Sequence, residues 1–509
     1  MADDVAARSL KPSETVATRH GPVRGYQEDG LSIFKGLRYG AAPVGALRFK
    51  PPTEPAAWRE SASATSYGAP AIQSGLAPGE RRTSPGDPPA PDEPASSEDC
   101  LFINVWTPGL DTARRPVMVW LHGGGFANGS GGAAMYDGAA LARKGDVVTV
   151  TVNHRLNVFG YLHLGDLFGP EFALSGVAGM LDLILALEWV RDNIAAFGGD
   201  PGNVTIFGES GGGWKVSLLM AMPGAKGLFH KAVIQSGPGL TGKSKAEGTQ
   251  TARTLLQTMG VTSAEALADV ATEVFSKASV SFGGEVMRLY TPIVDGHALP
   301  RDPFDPNAPE QSADIPLLIG TNKDENTLFM FSHPRFGAFT DADLDRHAAA
   351  AVGSRGPALV EALRATYPDY SPSHLVAAVG TASGMWAGSI TLAERKAAQN
   401  APVWMYMLAW ETPVARGRLK CPHALEIPLV FDNVERARNF VGRGDDPQRL
   451  AAQMSSAWLA FARTGDPNTP ALPSWPAYDA DTRSTMIFNL ESQIVQDPSG
   501  QVRKVLEAA

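Results

Sequence analysis

Short runs of apolar residues alternate along the chain with longer segments in which apolar residues recur every three or four positions. The short runs predict buried strands at Pro116–Leu121, Val147–Val152, Val204–Phe207, Lys231–Gln235, Ile315–Gly320 and Val403–Trp410. The longer spacing predicts a helix over Gly179–Asn193. Strands that are apolar on both faces and separated by helices indicate an α/β fold, with a mostly parallel central sheet flanked by helices.

Three segments interrupt this alternation. Residues at about 242–289 and 341–395 are mainly helical in pattern, and they predict helical caps above the sheet. Between Ala77 and Ser97, Pro and Ser are too frequent for a helix or a central strand, so this stretch predicts a long surface loop that is either functional or mobile. The length of 509 residues would allow about three domains, but one α/β unit with insertions fits it equally well.

Composition and charge exclude several classes of protein. Apolar residues make up 44% of the chain, which provides a large core and excludes global disorder. The 44 Lys and Arg residues against 53 Asp and Glu give a net charge of −9 with no long basic run, which argues against nucleic-acid binding. The first twenty residues lack the apolar core of a signal peptide, and no stretch of about 18 apolar residues occurs, so we expect no membrane span.

The chain has two cysteines, Cys100 and Cys421, which cannot form a disulfide framework. Two buried thiols are favoured over a single bridge between them. No histidine cluster accompanies them that would complete a metal site. We therefore expect no metal, and no other motif implies an organic cofactor.

The segment Gly208-Glu209-Ser210-Gly211-Gly212 is a G-x-S-x-G motif. It directly follows a predicted strand and precedes a predicted helix, which is the setting of a nucleophile elbow. Small residues are needed on both sides because the turn is tight, and the N-terminus of the helix favours developing negative charge. The alternative is a glycine-rich turn in which the serine is only structural.

A second glycine-rich segment, His122-Gly123-Gly124-Gly125-Phe126, follows the predicted strand Pro116–Leu121. Glycines allow backbone N–H groups to approach a substrate oxygen closely. In the α/β-hydrolase plan such a loop supplies part of an oxyanion hole, completed by the N–H after the nucleophile, so the predicted donors are Gly124, Gly125 and Gly211. A phosphate-binding loop is disfavoured because the segment lacks the lysine of a P-loop.

A serine nucleophile needs a base, and α/β-hydrolases carry their triad in the order Ser, Asp or Glu, His. Asp324 and Glu325 follow the predicted strand Ile315–Gly320, and both qualify as the acid. Of the later histidines, His423 is favoured as the base because it lies on a loop after the strand Val403–Trp410. The other three, His333, His347 and His374, lie too close to the acid or within the helical insertion.

Together, these motifs resemble those of a known protein family. The chain resembles the type-B carboxylesterases, the cholinesterase-like branch of the α/β-hydrolases, and particularly their bacterial para-nitrobenzyl-esterase-like members. The similarity extends from about Thr18 to Asn489. The matching stretches are Gly36–Phe49, Glu98–Pro108, Val119–Gly125, Asn153–Leu162, Gly179–Ser210, Gly320–Glu325, His423–Phe431 and Phe461–Asn468.

The resemblance implies a single α/β-hydrolase domain over 1–509 and assigns Glu325, rather than Asp324, as the acid. It also implies His423 as the base, Glu209 beside the nucleophile and Ser236 in a hydrogen-bond network behind the triad. Two structural ion pairs are implied as well, Arg48 with Glu98 and Arg155 with Asp182.

The sequence departs from the family pattern at two positions that matter here. Gly211 stands where Ala is common, but it keeps the N–H that an oxyanion hole uses. Cys100 occupies a position that many relatives bridge to an upstream cysteine, which this chain lacks. That difference predicts a free thiol, a cytoplasmic setting and a mobile Ala77–Ser97 loop. Trp214 is expected to pack in the core or to line the acyl side of the pocket.

The implied activity is that of a serine carboxylesterase acting on a small-molecule ester through an acyl-enzyme on Ser210. A carbamate or amide hydrolase would use the same residues and stays an alternative. A lipase is less favoured because no amphipathic lid is evident. A non-catalytic binding module is disfavoured because Ser210, Glu325 and His423 are all present. The sequence does not indicate an oligomeric state.

Overall fold

The computed structural model describes residues 11–73, 90–280 and 289–508, and thirteen strands of this part form one large sheet. Two further short strands, β10 and β11, form a separate parallel pair. The strands are β1 (Lys11–Ala17), β2 (Pro22–Glu28), β3 (Leu31–Arg38), β4 (Ala62–Ser63), β5 (Phe102–Thr107), β6 (Arg115–Leu121), β7 (Val148–Val152), β8 (Gly199–Glu209), β9 (Lys231–Gln235), β10 (Lys243–Ser244), β11 (Ile293–Val294), β12 (Leu317–Asn322), β13 (Val403–Leu408), β14 (Ser484–Phe488) and β15 (Gln493–Gln496).

The order across the large sheet is β1-β2-β3-β5-β7-β6-β8-β9-β12-β13-β14-β15, with β4 beside β2. All neighbours from β7 to β14 pair in parallel, and the flanking strands pair in antiparallel fashion except β4, which is parallel to β2. The prediction of a mostly parallel central sheet is therefore confirmed. Because parallel strands end at the same edge of a sheet, the segments after β6, β8, β12 and β13 meet there.

The predicted strands match the observed ones except at some ends. The strand expected at Ile315–Gly320 lies two residues later, at Leu317–Asn322. Pro316 has no N–H to donate, so it takes part only through its carbonyl, which accepts from the N–H of Ala232. The strand expected at Val204–Phe207 extends to Gly199–Glu209, up to the residue before Ser210.

Helices cover both faces of the sheet, and the predicted helix Gly179–Asn193 is confirmed as α4. The described helices are α1 (Ala139–Gly145), α2 (Asn157–Tyr161), α3 (Gly165–Phe168), α4 (Ala178–Asn193), α5 (Gly211–Ala221), α6 (Lys245–Met259), α7 (Ala264–Ala268), α8 (Thr272–Val280), α9 (Thr327–Met330), α10 (Asp341–Val352), α11 (Gly356–Thr366), α12 (Pro372–Thr381), α13 (Ala387–Ala397), α14 (Ile427–Val430), α15 (Arg438–Val441), α16 (Asp445–Thr464) and α17 (Gly500–Glu507).

Alternating residues of the central strand β6 enter two different hydrophobic cores. Val117, Val119 and Leu121 belong to the core on the side of α4 and α5. Met118 and Trp120 belong to the opposite core, on the side of α16. Successive side chains of a strand point to opposite faces, so a strand that is apolar at every position is buried on both.

Both predicted insertions contain helices. Helices α6–α8 lie in the segment 242–289, of which 281–288 are outside the described residues, and α10–α13 lie in and just beyond 341–395. The loop expected at Ala77–Ser97 is outside the described residues up to position 89. Its remainder, 90–97, has neither helix nor strand, and its buried Glu93 accepts a hydrogen bond from Ser130.

Two ion pairs hold the scaffold, as the resemblance implied. Arg48 makes two hydrogen bonds to Glu98, of 2.7 and 2.6 Å. Arg155 and Asp182 are both buried, and the guanidinium donates to both carboxylate oxygens at 2.8 and 2.6 Å. The backbone N–H of Arg155 also donates to Asp182, so this aspartate satisfies three donors at once.

Two helical runs, Pro170–Phe197 and Pro372–Ala397, are long and apolar enough to cross a membrane by length and composition alone. However, 72% and 61% of their most apolar windows are buried inside the fold. Both are therefore core helices. The first contains α4, which packs on the central sheet through residues such as Leu183 and Leu187.

Candidate active site

Ser210 lies on a sharp turn between β8 and α5, as the G-x-S-x-G motif predicts. Its backbone has φ 56° and ψ −122°, a conformation that a residue with a side chain rarely adopts. Its backbone N–H donates to the carbonyl of Gln235 at 2.8 Å, which ties the turn to the adjacent strand β9. The side chain is half-buried at the edge where the parallel strands end.

The glycines around Ser210 are required by close backbone approach. A Cβ at Gly212 would lie 1.9 Å from the carbonyl oxygen of Leu121, and a Cβ at Gly208 would lie 2.5 Å from the carbonyl carbon of Gly212. No real Cβ is tolerated at such distances from backbone atoms. The turn can therefore place the serine beside β6 only when these two positions lack side chains.

Glu325 and His423 form a short hydrogen-bonded pair. Nδ1 of His423 lies 2.6 Å from Oε2 of Glu325, and both residues are buried. Glu325 is three residues past the end of β12, and its Oε1 accepts a hydrogen bond of 2.7 Å from the backbone N–H of Asn322. The backbone N–H of His423 donates to the carbonyl of Glu325, which brings the loop after β13 against the loop after β12.

Asp324, the alternative acid, points elsewhere. Its Oδ1 accepts a hydrogen bond from the hydroxyl of Tyr370 at 2.7 Å, and its Oδ2 accepts one from the backbone N–H of Cys421 at 3.1 Å. Tyr370 lies between α11 and α12, within the second insertion. Asp324 thus joins the insertion to the loop that carries Glu325, while Glu325 alone of the two contacts His423.

The other ring nitrogen of His423 faces Glu209. Its Nε2 lies 3.0 Å from Oε1 of Glu209, without the alignment of a hydrogen bond. Among the described residues no hydrogen bond joins Oγ of Ser210 to His423. A shift of the imidazole from Glu209 toward Ser210 would be needed for proton transfer, and such contacts often tighten only when substrate is bound.

Burial and carboxylates act in opposite directions on His423. Burial by itself would lower the pKa of the imidazole, but the negative charges of Glu209 and Glu325 raise it to about 9. Burial in turn raises the pKa of Glu209, an effect that the positive charge of His423 opposes. The site is therefore arranged to stabilise an imidazolium, which is the form a general base takes after accepting a proton.

The three predicted oxyanion donors come together beside Ser210. Gly124 and Gly125 have φ values of +84° and +62°, and the loop is closed by a 3.0 Å hydrogen bond from the N–H of Asn128 to the carbonyl of Gly124. A Cβ at Gly211 would lie 2.5 Å from Cα of Gly125. The glycine at 211 thus allows the two segments to approach closely.

Aromatic side chains border this site on two sides. Trp214 is half-buried and packs edge-on against Phe126, the residue after the glycine loop, with ring centroids 5.5 Å apart. It also packs against the core, which agrees with the first expectation for it, while a role in lining the acyl side of the pocket stays a prediction. Phe329, on α9, is 51% exposed, and its ring centroid lies 5.0 Å from that of His423.

Ser236, expected in a hydrogen-bond network behind the triad, donates its backbone N–H to the carbonyl of Gly320 at 2.8 Å. Ser236 is buried, and its Oγ has no hydrogen-bond partner in the part of the chain that the structure describes. The network passes instead through the neighbouring Gln235, whose amide donates to Glu426 and accepts from the indole of Trp458. Gln235 lies in a buried strand where hydrophobic patterning gives no signal for such a role.

Glu426 is a buried carboxylate that sequence reasoning did not single out as functional. It accepts hydrogen bonds from the side chains of Asn322 at 2.6 Å and Gln235 at 3.3 Å. Burial raises its pKa to about 7, and the charge of Glu325 contributes in the same direction. Its place three residues after His423, in a His-x-x-Glu segment, was the signal available for it.

Lys215 is a second buried ionisable residue that the hydrophobic pattern of the sequence did not indicate. It lies on α5, is fully buried, and its Nζ donates to the carbonyl of His122 at 2.9 Å. In the described part of the chain, no group of three or more His, Cys, Asp or Glu side chains is placed to hold a metal ion.

A strained serine turn, a carboxylate–histidine pair and a glycine loop at the carboxyl edge of a parallel sheet define a serine hydrolase with the α/β-hydrolase fold. Comparison with known proteins identifies the family. The Carboxylesterase family pattern matches residues 12–506, so the chain belongs to this family and is a carboxylic-ester hydrolase.

Relatives along nearly the whole length support this assignment. The para-nitrobenzyl esterase of Bacillus subtilis (strain 168) is 37% identical, over 97% of this chain and 98% of that protein. The phenmedipham hydrolase of Pseudarthrobacter oxydans is 33% identical, over 94% of this chain and 96% of that protein. The crystal structure of the Geobacillus stearothermophilus carboxylesterase EST55 at pH 6.2 is 39% identical, with a TM-score of 0.86 over 97% of this chain and all of that chain.

Proposed function

We propose that the chain hydrolyses esters by two-step acyl transfer, with Ser210 as nucleophile, His423 as general base and Glu325 as the acid that orients it. The observation that carries this proposal is the 2.6 Å contact between Nδ1 of His423 and Glu325, at the sheet edge where Ser210 is held on a strained turn. A carboxylate on Nδ1 fixes the tautomer whose Nε2 can accept the serine proton.

In the first step, His423 removes the proton from Oγ of Ser210, which attacks the ester carbonyl. The N–H groups of Gly124, Gly125 and Gly211 stabilise the oxyanion. The imidazolium then protonates the departing alcohol, leaving an acyl-enzyme. In the second step, His423 removes a proton from water, which attacks the acyl-enzyme, and Ser210 is regenerated as the acid product leaves.

The surroundings of the site favour esters with an apolar or aromatic group. Phe329 and Trp214 offer aromatic surfaces on two sides of the site.

We further propose that the chain forms a single α/β-hydrolase unit with helical caps and that it works in a reducing, cytoplasmic setting. The setting is supported by two buried thiols that form no bridge.

The nucleophile is tested by labelling and substitution. An organophosphate should attach to the peptide that contains Ser210, and Ser210→Ala should abolish turnover of p-nitrophenyl butyrate and p-nitrobenzyl esters. The exposed Ser61 provides a matched control as Ser61→Ala. Full activity in Ser210→Ala, or a label on a different serine, would refute the assignment. Phenmedipham belongs in the same substrate panel because one relative is named for its hydrolysis.

The choice of acid is tested by a pair of isosteric changes. Glu325→Gln should lower kcat by about 10³-fold or more, because an amide cannot stabilise the imidazolium. Asp324→Asn should leave most of kcat, because that carboxylate contacts Tyr370 and Cys421 rather than the base. The reverse ranking of the two variants would show that Asp324 is the acid.

A further inference from the structure

Lys215 places a buried amino group directly behind the glycine loop. The residue lies in the second turn of α5, which begins at the nucleophile, and its side chain is 0% exposed. Its Nζ donates to the carbonyl oxygen of His122 at 2.9 Å and lies 5.6 Å from the ring centroid of Phe126. His122 and Phe126 are the residues that flank Gly123-Gly124-Gly125 on either side.

A buried ammonium is unfavourable unless other groups compensate its charge. Burial lowers the pKa of Lys215 to about 7, a shift that the negative charge of Glu209 opposes. Oε1 of Glu209 in turn lies 3.0 Å from Nε2 of His423. The neighbouring His154 is fully buried, and both burial and the charge of Lys215 lower its pKa, so that imidazole adds no second cation. Lys215 and His423 therefore both favour the ionised carboxylate of Glu209.

The glycine loop is held by its carbonyl groups. Lys215 binds the carbonyl of His122, Nδ1 of His122 lies 2.9 Å from the carbonyl of Gly123, and Asn128 binds the carbonyl of Gly124. In a planar peptide the C=O and the N–H point in opposite directions, so fixing a carbonyl also fixes the next N–H. Anchoring these carbonyls therefore sets the direction of the N–H groups along the loop.

We propose that Lys215 is a positioning residue for the oxyanion hole: its buried Nζ holds the first peptide of the glycine loop by a hydrogen bond to the carbonyl of His122 and so helps to direct the N–H groups that receive the oxyanion. This inference rests on the proposed function, because it presupposes that Gly124 and Gly125 bind the oxyanion. Lys215 itself does not touch the substrate. Its contribution is made when negative charge develops on the substrate oxygen, and not when the neutral ester binds.

The test compares two buried lysines. Lys215→Met removes the hydrogen-bond donor and keeps an apolar chain of similar length. Lys396→Met is the matched control, because Lys396 is also 0% exposed and donates to a backbone carbonyl, that of Ala313, at 3.0 Å. It lies on α13 in the second insertion. For each protein we would measure kcat and KM on p-nitrophenyl butyrate, the Ki of a trifluoromethyl ketone that forms a hemiketal oxyanion, and Tm.

We expect Lys215→Met to lower kcat by about 10- to 100-fold with KM within about twofold, since a misplaced donor loses part of the 10²–10³ attributed to an oxyanion-hole group. The Ki of the ketone should rise in parallel. Lys396→Met should change Tm but neither kcat nor Ki. If Lys215→Met does not fold, Lys215→Gln, which retains an N–H donor, should show the same parallel change of kcat and Ki with a smaller magnitude.

A folded Lys215→Met or Lys215→Gln enzyme with wild-type kcat and Ki would overturn the inference. A loss of kcat would also overturn the inference if titration of the active sites with an organophosphate showed that it came from fewer active enzyme molecules. These outcomes are distinct from failure of the proposed function. In that case the organophosphate would not label Ser210 in the wild-type protein.

Discussion

Replacing Glu209 with glutamine should shift the pH dependence of catalysis to lower pH. The carboxylate of Glu209 lies 3.0 Å from Nε2 of His423, and that of Glu325 lies 2.6 Å from Nδ1. Together they raise the pKa of His423 to about 9, against the opposing effect of burial. Glu209→Gln removes one of these two charges and keeps the size of the side chain.

The magnitude follows from the pKa of His423 and the two distances. The rise from the usual 6.5 to about 9 corresponds to about 3 kcal/mol, at about 1.4 kcal/mol for each pH unit. Three carboxylates, Glu209, Glu325 and Glu426, act against burial to give this net rise, and Glu209 and Glu325 lie at similar distances from the ring, so the loss of Glu209 removes a substantial share of it. The pKa of His423 should therefore fall by about one pH unit in Glu209→Gln.

The sign follows from the role of the base. Only the neutral imidazole can accept the serine proton, so kcat/KM rises as pH rises through the pKa of His423. A lower pKa of His423 therefore moves the rise in kcat/KM to lower pH. One unit below the wild-type midpoint, Glu209→Gln should retain about five times more of its own plateau activity than the wild type retains.

The assay should use benzyl butyrate, with benzyl alcohol quantified by chromatography, because neither the substrate nor the detected product ionises over the range. Tm of each protein checks that the variant is folded at every pH. The exposed Glu491 provides the control, and Glu491→Gln should leave the midpoint unchanged. An unchanged or more alkaline midpoint in Glu209→Gln would refute this account of the base.

Three further predictions follow from single contacts. Gly212→Ala should destabilise the fold by about 3 kcal/mol or more in urea unfolding and abolish esterase activity, because its Cβ would lie 1.9 Å from the carbonyl oxygen of Leu121; a wild-type midpoint would contradict this. Asp182→Asn should lower the free energy of unfolding by about 3–5 kcal/mol, because it leaves the buried guanidinium of Arg155 without its counter-charge; urea unfolding that matches the wild type would exclude it. Phe329→Ala should raise KM for benzyl esters more than for ethyl esters, because this exposed ring borders the proposed base; equal effects on both esters would argue against a pocket role.

The sequence predicted the centre of the fold well for a physical reason. Strands β6 and β13 are buried on both faces, so nearly every position is apolar and the pattern is unambiguous. Strand ends were less well predicted because they depend on which backbone groups find partners. The shift at β12 shows this, since the proline at 316 removes a donor that the apolar pattern does not register.

At the site, residue order and motifs predicted which side chains come together, but not their contacts. Asp324 and Glu325 are adjacent in sequence, and only the direction of their side chains separates the partner of His423 from the partner of Tyr370. Lys215 was missed because α5 is buried on nearly all sides and shows no polar face on which a functional lysine would stand out.

The two buried cysteines can report on unfolding through their reaction with a thiol reagent. Cys100 and Cys421 are 1% and 0% exposed, and burial raises the pKa of both thiols well above the usual value. Cys100 belongs to the core on the side of α4 and α5, and Cys421 to the core on the side of α16. A thiol reagent added under native conditions therefore reacts at each cysteine only when its own core opens, so the two labelling rates measure the opening of the two halves of the molecule separately, without any introduced probe.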